Sequence, residues 1–306
     1  MRFNDSELIK ELTKEWTGER FEDGRPKVSD QLLKRLSHVT TEAAYIAMVE
    51  KGYKLQFEGE LKQTEPHKRL VGRAVTAVMV PTRPDVHNIL LGYGRKEEGR
   101  NGFFNQWVIE TMVENDVLVV DMCDQIMYGT YVGGNLSTAI KTRTKNGGAV
   151  IWGGLRDLEQ IVDIPDFPVY YRGVHPSPIG DVMMTGMNVP TRIGRAVCLP
   201  GDVVLGTISG VVFIPAHLAE YVAIRAEKTY LRDSFSFERL ESGTYTSAQV
   251  DQAWWPEFMM TDFMDWFHHS AKAENYQYLD WSEEMEDSKK PPRQKQFDGI
   301  VCYSYH

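Results

Sequence analysis

The sequence predicts an α/β protein built on a mixed sheet, and three observations predict it. Short β-rich segments recur between residues 71 and 214, a clear helical segment at Leu136–Lys145 separates two of them, and helical stretches of different character flank the array. Strands that arrive both in close succession and separated by a helix favour a mixed sheet over a purely parallel, doubly wound one.

Residues 1–64 read as helical and charged. From Gln31 to Glu50, Leu32, Leu33, Leu36, Val39, Ala43, Ile46 and Ala47 fall at helix-compatible spacing, and Thr40-Thr41 interrupts them, so one helix and two are equally compatible. The expected strands are Val71–Pro81, Val117–Asp121, Ala149–Trp152, Val169–Tyr171, Ala196–Leu199, Val203–Leu205 and Val211–Ile214. Beyond residue 222, Asp251–Ser270 crowds Trp254, Trp255, Phe258, Met259, Phe263, Trp266 and Phe267 into a helical window. Such a face has to be covered, by the protein's own core, a neighbouring subunit or a substrate for which it forms a lid. The reading divides the chain into an N-terminal helical segment (1–27), an α/β core (28–222) and an aromatic-rich helical extension (223–306).

The 306 residues carry a net charge of −9, with Lys and Arg in no run longer than two, which argues against direct nucleic-acid binding. No stretch of about 18 apolar residues offers a membrane span, and the first sixteen residues lack the apolar run of a signal peptide. Cys123, Cys198 and Cys302 form no Cys-x-x-Cys pair and no disulfide framework. A cytoplasmic location is expected.

The chemistry concentrates in Gly129–Ile161, GTYVGGNLSTAIKTRTKNGGAVIWGGLRDLEQI. Gly133 and Gly134 permit close backbone approach to a ligand, Asn135 is a good N-cap, and the amides of Leu136 and Ser137 would point out of a helix N-terminus as an anion site. Twenty residues lie between Asn135 and Arg156, enough for a helix and a strand to return both to one sheet edge. There Arg156 suits a carboxylate and Asp157 a hard divalent cation. A carboxylate beside a keto group is the substrate these tools fit. The competing reading has Asp157 cap a helix Asp157–Val162, with Gln160 completing a capping box and Arg156 in a surface salt bridge.

Weaker signals point elsewhere. Gly92-Tyr93-Gly94 lacks the third glycine of a dinucleotide fingerprint, and no Gly-x-Ser-x-Gly elbow occurs. His268 and His269 are adjacent and face different helix sides, and Lys141 reads as a solvated helix residue.

The stretches GGNLSTAIKTRTKNGGAVIWGGLRDLEQI, FPVYYRGVHPSP and NVPTRIGRAVCLPGDVVLGTISGVVFIP, with LVGRAVTAVMVP upstream, resemble the RraA-like family of ribonuclease-activity regulators and 4-hydroxy-4-methyl-2-oxoglutarate aldolases over residues 28–220. The resemblance implies an αββα sandwich with a swivelling β/β/α core, assembled as a homotrimer or homohexamer. In the aldolase members the Arg binds the substrate carboxylate, the Asp holds the metal, and amides of the preceding helix assist. Carried over, these are Arg156, Asp157, Leu136 and Ser137, beside Gly134, with Mg²⁺ or Mn²⁺ on Asp157. Where the family's motif usually carries an acid, this chain has Asn135.

An amide orients a water but cannot take its proton. Asp121, Asp124 and His175 are the candidates to replace the lost base; Asp121 alternatively ends a strand, and a loop histidine alternatively packs or is solvated. The expectation is therefore a divalent-metal-dependent carbon–carbon lyase of the pyruvate-aldolase or oxaloacetate-decarboxylase type, acting on a small 2-oxo or hydroxy acid through a metal-stabilised enolate; Asn135 makes decarboxylation or another lyase or isomerase step more credible than in a standard family member. The rival reading is a non-catalytic regulator that binds a ribonuclease or helicase partner. The C-terminal extension is expected to cover a subunit interface or narrow the pocket.

Overall fold

The computed structural model describes residues 3–290, so Cys302 lies outside the described residues. Four parallel strands form the centre of the main sheet in the order Leu70–Pro81, Asp116–Asp121, Ala149–Leu155, Val169–Val174. The 12-residue first strand outruns its neighbours. Two antiparallel partners share its other edge: Val203–Thr207 along Leu70–Arg73 and Val182–Met187 along Ala77–Pro81. Gly210–Ile214 and Phe57–Glu58 continue the sheet beyond Val203–Thr207, and Lys62–Gln63 closes the far edge against Val169–Val174. Thr191–Ile193 and Ala196–Cys198 make a separate hairpin. The mixed sheet expected from the sequence is present.

Why the strands read as unbroken apolar runs is clear from Asp116–Asp121, all of whose residues are buried. Leu118 and Val120 enter one core with Phe104, Trp107, Ile140 and Ile151, whereas Val117 and Val119 enter another with Val150, Tyr170, Val204 and Phe213. A strand buried on both faces loses polar alternation. Val182–Met187 (VMMTGM) and the two-residue strands carry weaker patterns, because Met and Gly are poor strand markers and two residues show no period.

The interrupted N-terminal pattern resolves into two helices, Asp30–Leu36 and Thr41–Glu50. Thr40 divides them by turning extended and accepting the Ala43 amide at 3.2 Å as N-cap. Ahead of them, among the described residues, only Ser6–Leu12 is helical. The chain then turns, and Arg25 enters the core, where Nη1 and Nη2 donate to the two Asp116 oxygens at 3.0 Å each and Nε to Asp23 at 2.7 Å. Both members of the Arg25–Asp116 pair are essentially inaccessible.

The chain divides after Val222 into two compact units. In the second, Phe235 and Leu231 of helix Ala219–Glu241 pack with Trp255, Phe263 and Trp281; the Phe263 and Trp281 rings meet edge-on at 4.6 Å. The aromatic window forms helix Glu257–His269, starting later than expected because Pro256 is extended as its N-cap. Its Met259, Phe263, Trp266 and Phe267 are buried in that unit's own core. Among the described residues no helix is long and apolar enough to cross a membrane.

Candidate functional site

Asp121, Leu155 and Val174 end three of the parallel strands, so topology places Asp121, Arg156-Asp157 and His175 along one edge of the sheet. They do not converge. Asp121 is buried: its Oδ1 accepts the Cys123 amide at 2.8 Å and its Oδ2 accepts Arg192 Nε at 3.2 Å, so it closes a turn and holds an arginine. Asp124 accepts Arg172 Nε at 2.9 Å. Nδ1 of His175 accepts the Ser177 amide at 3.1 Å, which assigns the proton of the neutral ring to Nε2. Ser177 Oγ, 2.9 Å from the same Nδ1, accepts the Tyr128 amide at 2.6 Å, so His175 locks two loops together.

What does converge is a pocket of about 320 Å³ lined by Gly133, Asn135, Leu136, Arg156, Asp157 and Gln160. The loop after Asp121 builds it by lying along the end of Ala149–Leu155: Thr130 bridges Gly154, Tyr131 N donates to Gly154 O at 3.0 Å, and Arg156 N donates to Val132 O at 3.0 Å. Gly154 makes this approach available, since a Cβ there would stand 2.7 Å from Ile126 O. The loop thus delivers Gly133 and Gly134 to the Arg156-Asp157 corner.

At that corner the helix begins two residues earlier than expected, at Gly134, with extended Gly133 as N-cap in place of Asn135. No side chain of the helix caps it. Asp157 does so from across the pocket, its Oδ2 accepting the Gly134 amide at 3.3 Å. The Ser137 amide, expected to face a ligand, donates instead to Gly133 O at 3.0 Å, and its hydroxyl is buried without a hydrogen-bond partner. The second and third helical residues, Asn135 and Leu136, have amides that no turn of their own helix can satisfy, and both residues line the pocket. These are the backbone donors that the helix leaves free at the pocket.

Asp157 adopts left-handed backbone (φ 54, ψ 41) and leads into helix Leu158–Val162 without side-chain capping of it. The alternative of Asp157 as a side-chain cap for that helix is therefore not what the structure holds: the left-handed backbone turns the carboxylate toward Gly134. Arg156 Nε lies 3.8 Å from Asp157 Oδ2, and both side chains keep substantial exposure, 44% and 32%. That is a loose pair with donor and acceptor capacity to spare. Gln160 lines the same pocket, one turn past Asp157; the signal for it was its i+3 spacing, which sets both on one helix face.

Asp157 is the single carboxylate among the pocket's lining residues, and no group of three or more His, Cys, Asp or Glu converges among the described residues. A Cβ at Gly133 would stand 2.3 Å from Asp157 Oδ2, so glycine there keeps a space clear in front of that oxygen. One carboxylate with amide oxygens nearby fits a hard cation that keeps most of its waters, and does not fit a closed zinc cage. Lys141 is engaged elsewhere, its Nζ donating to the carbonyls of Lys145 and Asp166, and His268 and His269 lie in the second unit.

A family model described as RraA-like, aldolase/RraA, matches residues 26–213. The chain belongs to the RraA-like family. The match encloses the whole pocket, while helix Ser6–Leu12 and the aromatic unit lie outside it. Among curated proteins, one from Halalkalibacterium halodurans named "Putative 4-hydroxy-4-methyl-2-oxoglutarate aldolase" is 29% identical over 135 residues, 42% of this RraA-like chain and 61% of that protein. The match thus spans less than two thirds of that relative's length. Two solved structures share the fold. Streptomyces coelicolor RraAS2, described as an unusual member of the RNase ES inhibitor RraA protein family, is 22% identical, with a TM-score of 0.59 over 71% of this chain and 98% of its own. An uncharacterized protein from Pseudomonas syringae pv. tomato is 20% identical, with a TM-score of 0.61 over 77% and 99%.

Proposed function

We propose that the Arg156-Asp157 pocket binds a small 2-oxo acid and cleaves a carbon–carbon bond next to its keto group, with decarboxylation of a β-keto acid such as oxaloacetate as the favoured reaction. The observation that carries this reading is one corner holding a half-exposed guanidinium, two free helix-end amides and a carboxylate behind a space cleared by glycine. Arg156 binds the substrate carboxylate in bidentate fashion, and the Asn135 and Leu136 amides take its remaining lone pairs. Their positive ends lie where negative charge must be held. A divalent cation on Asp157, when bound, supplies Lewis-acid polarisation of the keto oxygen. In oxaloacetate the bond between C3 and the C4 carboxylate breaks, CO₂ leaves, the electron pair moves onto the keto oxygen, and solvent returns a proton to C3.

Decarboxylation needs no base, which matters because Asn135 cannot accept a proton and neither Asp121 nor His175 lines the pocket. Aldol cleavage requires loss of a hydroxyl proton, and Asp157 is the single carboxylate of the lining available for it. The missing base also favours a second reading, a binding protein that has kept an anion pocket without turnover. Pyruvate release from oxaloacetate and from a 4-hydroxy-2-oxo acid, measured with Mg²⁺ and with EDTA, separates the two. Metal-dependent release supports the lyase; equal rates with and without metal overturn it, and no release with capture of a ribonuclease partner supports the binder. The same reading carries a homotrimer or homohexamer, checked by light scattering as three or six chain masses.

A further inference from the structure

A second cavity of about 320 Å³ opens in the first compact unit, with its own chemistry. Helix Ser6–Leu12 and the turn after it supply Leu12, Glu15 and Trp16; Tyr53 and Gln56 come from the loop after Thr41–Glu50; Asp202 and His217 come from the two ends of the Val203–Ile214 hairpin. The walls are apolar and aromatic, with Val197, Leu199 and Pro215 completing them.

The hydrogen-bond inventory of this cavity is weighted toward acceptors. Leu199 N and Ala216 N donate to the two oxygens of Asp202 at 2.8 and 3.3 Å. Gln56 Nε2 donates to Val197 O and Phe213 O at 3.1 and 2.9 Å, and the Trp16 indole donates to Glu19 O at 2.8 Å. Tyr53 Oη and His217 Nε2 pair with each other at 3.2 Å. The Gln56 and Trp16 N–H donors are thus spent on the protein itself, and the Tyr53–His217 pair keeps one donor, the Tyr53 O–H or the His217 Nδ1–H according to the tautomer. Acceptors outnumber it: a second lone pair on each Asp202 oxygen, the Gln56 carbonyl oxygen and the Glu15 carboxylate.

Asp202 is 3% exposed, and among the described residues its partners are the Leu199 and Ala216 amides, with no opposite charge beside it. A buried carboxylate without a countercharge is costly; Asp202 avoids the cost by holding a proton, or keeps its charge when a cation is brought from outside. We propose that this cavity is a second ligand site, which takes a small primary ammonium compound with an apolar or aromatic body. The ammonium donates to Asp202 and to the Gln56 oxygen, while the body packs on Trp16, Leu199 and Pro215. Its volume lies at the small end of ligand pockets, which sets the size of the compound. An anion meets the Asp202 and Glu15 carboxylates with at most the one donor of the Tyr53–His217 pair to offset them, so it is disfavoured. Leu12, Glu15 and Trp16 precede the family match and His217 follows it, so part of this site lies outside that match.

Calorimetric titration of the full chain at pH 8 with benzylammonium and with the neutral, near-isosteric benzyl alcohol tests the site. Burial raises Asp202 to about 7, so its carboxyl is mostly ionised at that pH. Benzylammonium is expected to bind saturably and about tenfold or more tightly than the alcohol, since a charge-assisted hydrogen bond is at stake. Asp202→Asn is expected to erase the preference. Val197→Trp, at a half-exposed strand position on the wall, is expected to weaken both ligands by filling the cavity, and it keeps the test valid should Asp202→Asn not fold. Equal affinity for the two compounds, no saturable binding at millimolar concentration, or an affinity unchanged in both variants overturns the proposal.

Discussion

Asp157 Oδ2 accepts the backbone amide of Gly134 at 3.3 Å, so the first residue of one helix is capped by the carboxylate that introduces another, 23 positions away in sequence. This contact fixes the helix N-terminus beside Arg156 and leaves the Asn135 and Leu136 amides facing the same pocket. The backbone of Asp157 is left-handed, a conformation that Gly, Asn and Asp tolerate and that costs other residues roughly 1–2 kcal/mol.

Asp157→Asn, which keeps an oxygen for the Gly134 amide, should therefore melt near the parent and Asp157→Gly somewhat below it for want of that cap, while metal-dependent pyruvate release falls by about a hundredfold or more in both. Asp157→Ala should lose the same activity and in addition melt at lower temperature. Thermal scans beside pyruvate assays on the three variants check this.

Gly133→Ala places a methyl 2.3 Å from Asp157 Oδ2 and 3.1 Å from Arg156 Cγ. Both side chains border open space, so they should swing aside at little cost in stability. The expected result is a drop in kcat/KM of about ten- to a hundredfold, the scale at which misplacement of binding groups is felt. A Tm shift as large as the activity loss would mean that the glycine serves folding and not the site.

Asn135→Asp adds a carboxylate to the pocket lining. If a lost base limits aldol cleavage, cleavage of a 4-hydroxy-2-oxo acid should rise, by up to the roughly 10²–10⁴-fold that a positioned base contributes. Oxaloacetate decarboxylation, which needs no base, should stay level or fall as a negative charge joins the substrate carboxylate. Steady-state rates on both substrates report the change.

Arg25 and Asp116 share a buried, bidentate ion pair that ties residue 25 to the second strand of the sheet. Arg25→Met strands the carboxylate and should cost about 3–5 kcal/mol, read from urea unfolding midpoints. Arg25→Met with Asp116→Leu should recover part of it: the stranded carboxylate is removed, but buried Arg73, whose Nε lies 4.0 Å from Asp116, loses that carboxylate too.

Asp202 also makes stability depend on pH. Burial raises its folded pKa to about 7, above the unfolded value near 4, so between these the folded protein holds a proton that the unfolded chain has released. Stability is full below about pH 4 with respect to this group and falls as pH rises through 7, by at most about 4 kcal/mol. Asp202→Asn should abolish that component. Comparing the difference in urea midpoint between pH 5 and pH 8 in parent and variant isolates it from the other carboxylates.

The amino-acid sequence by itself determined the strand-rich centre, the helix before Arg156-Asp157 and the aromatic helix near the end. Each is a local pattern: buried β-branched runs, glycine turns and residues recurring at helical spacing. It also marked Arg156, Asp157, Asn135 and Leu136, because a glycine pair before a helix and an Arg-Asp pair after a strand are local signals. Tertiary structure alone decided where the carboxylates point. Asp121, Asp157 and His175 look equivalent as residues just past strand ends, but Arg192 and the Cys123 amide claim the first and the Ser177 turn claims the last, leaving Asp157 to face the pocket. The same holds for Ser137, whose amide the helix consumes, and for Asp202, whose burial depends on segments far from it in sequence. Hydrogen-bond partners distant along the chain are set by packing, and no local pattern records them.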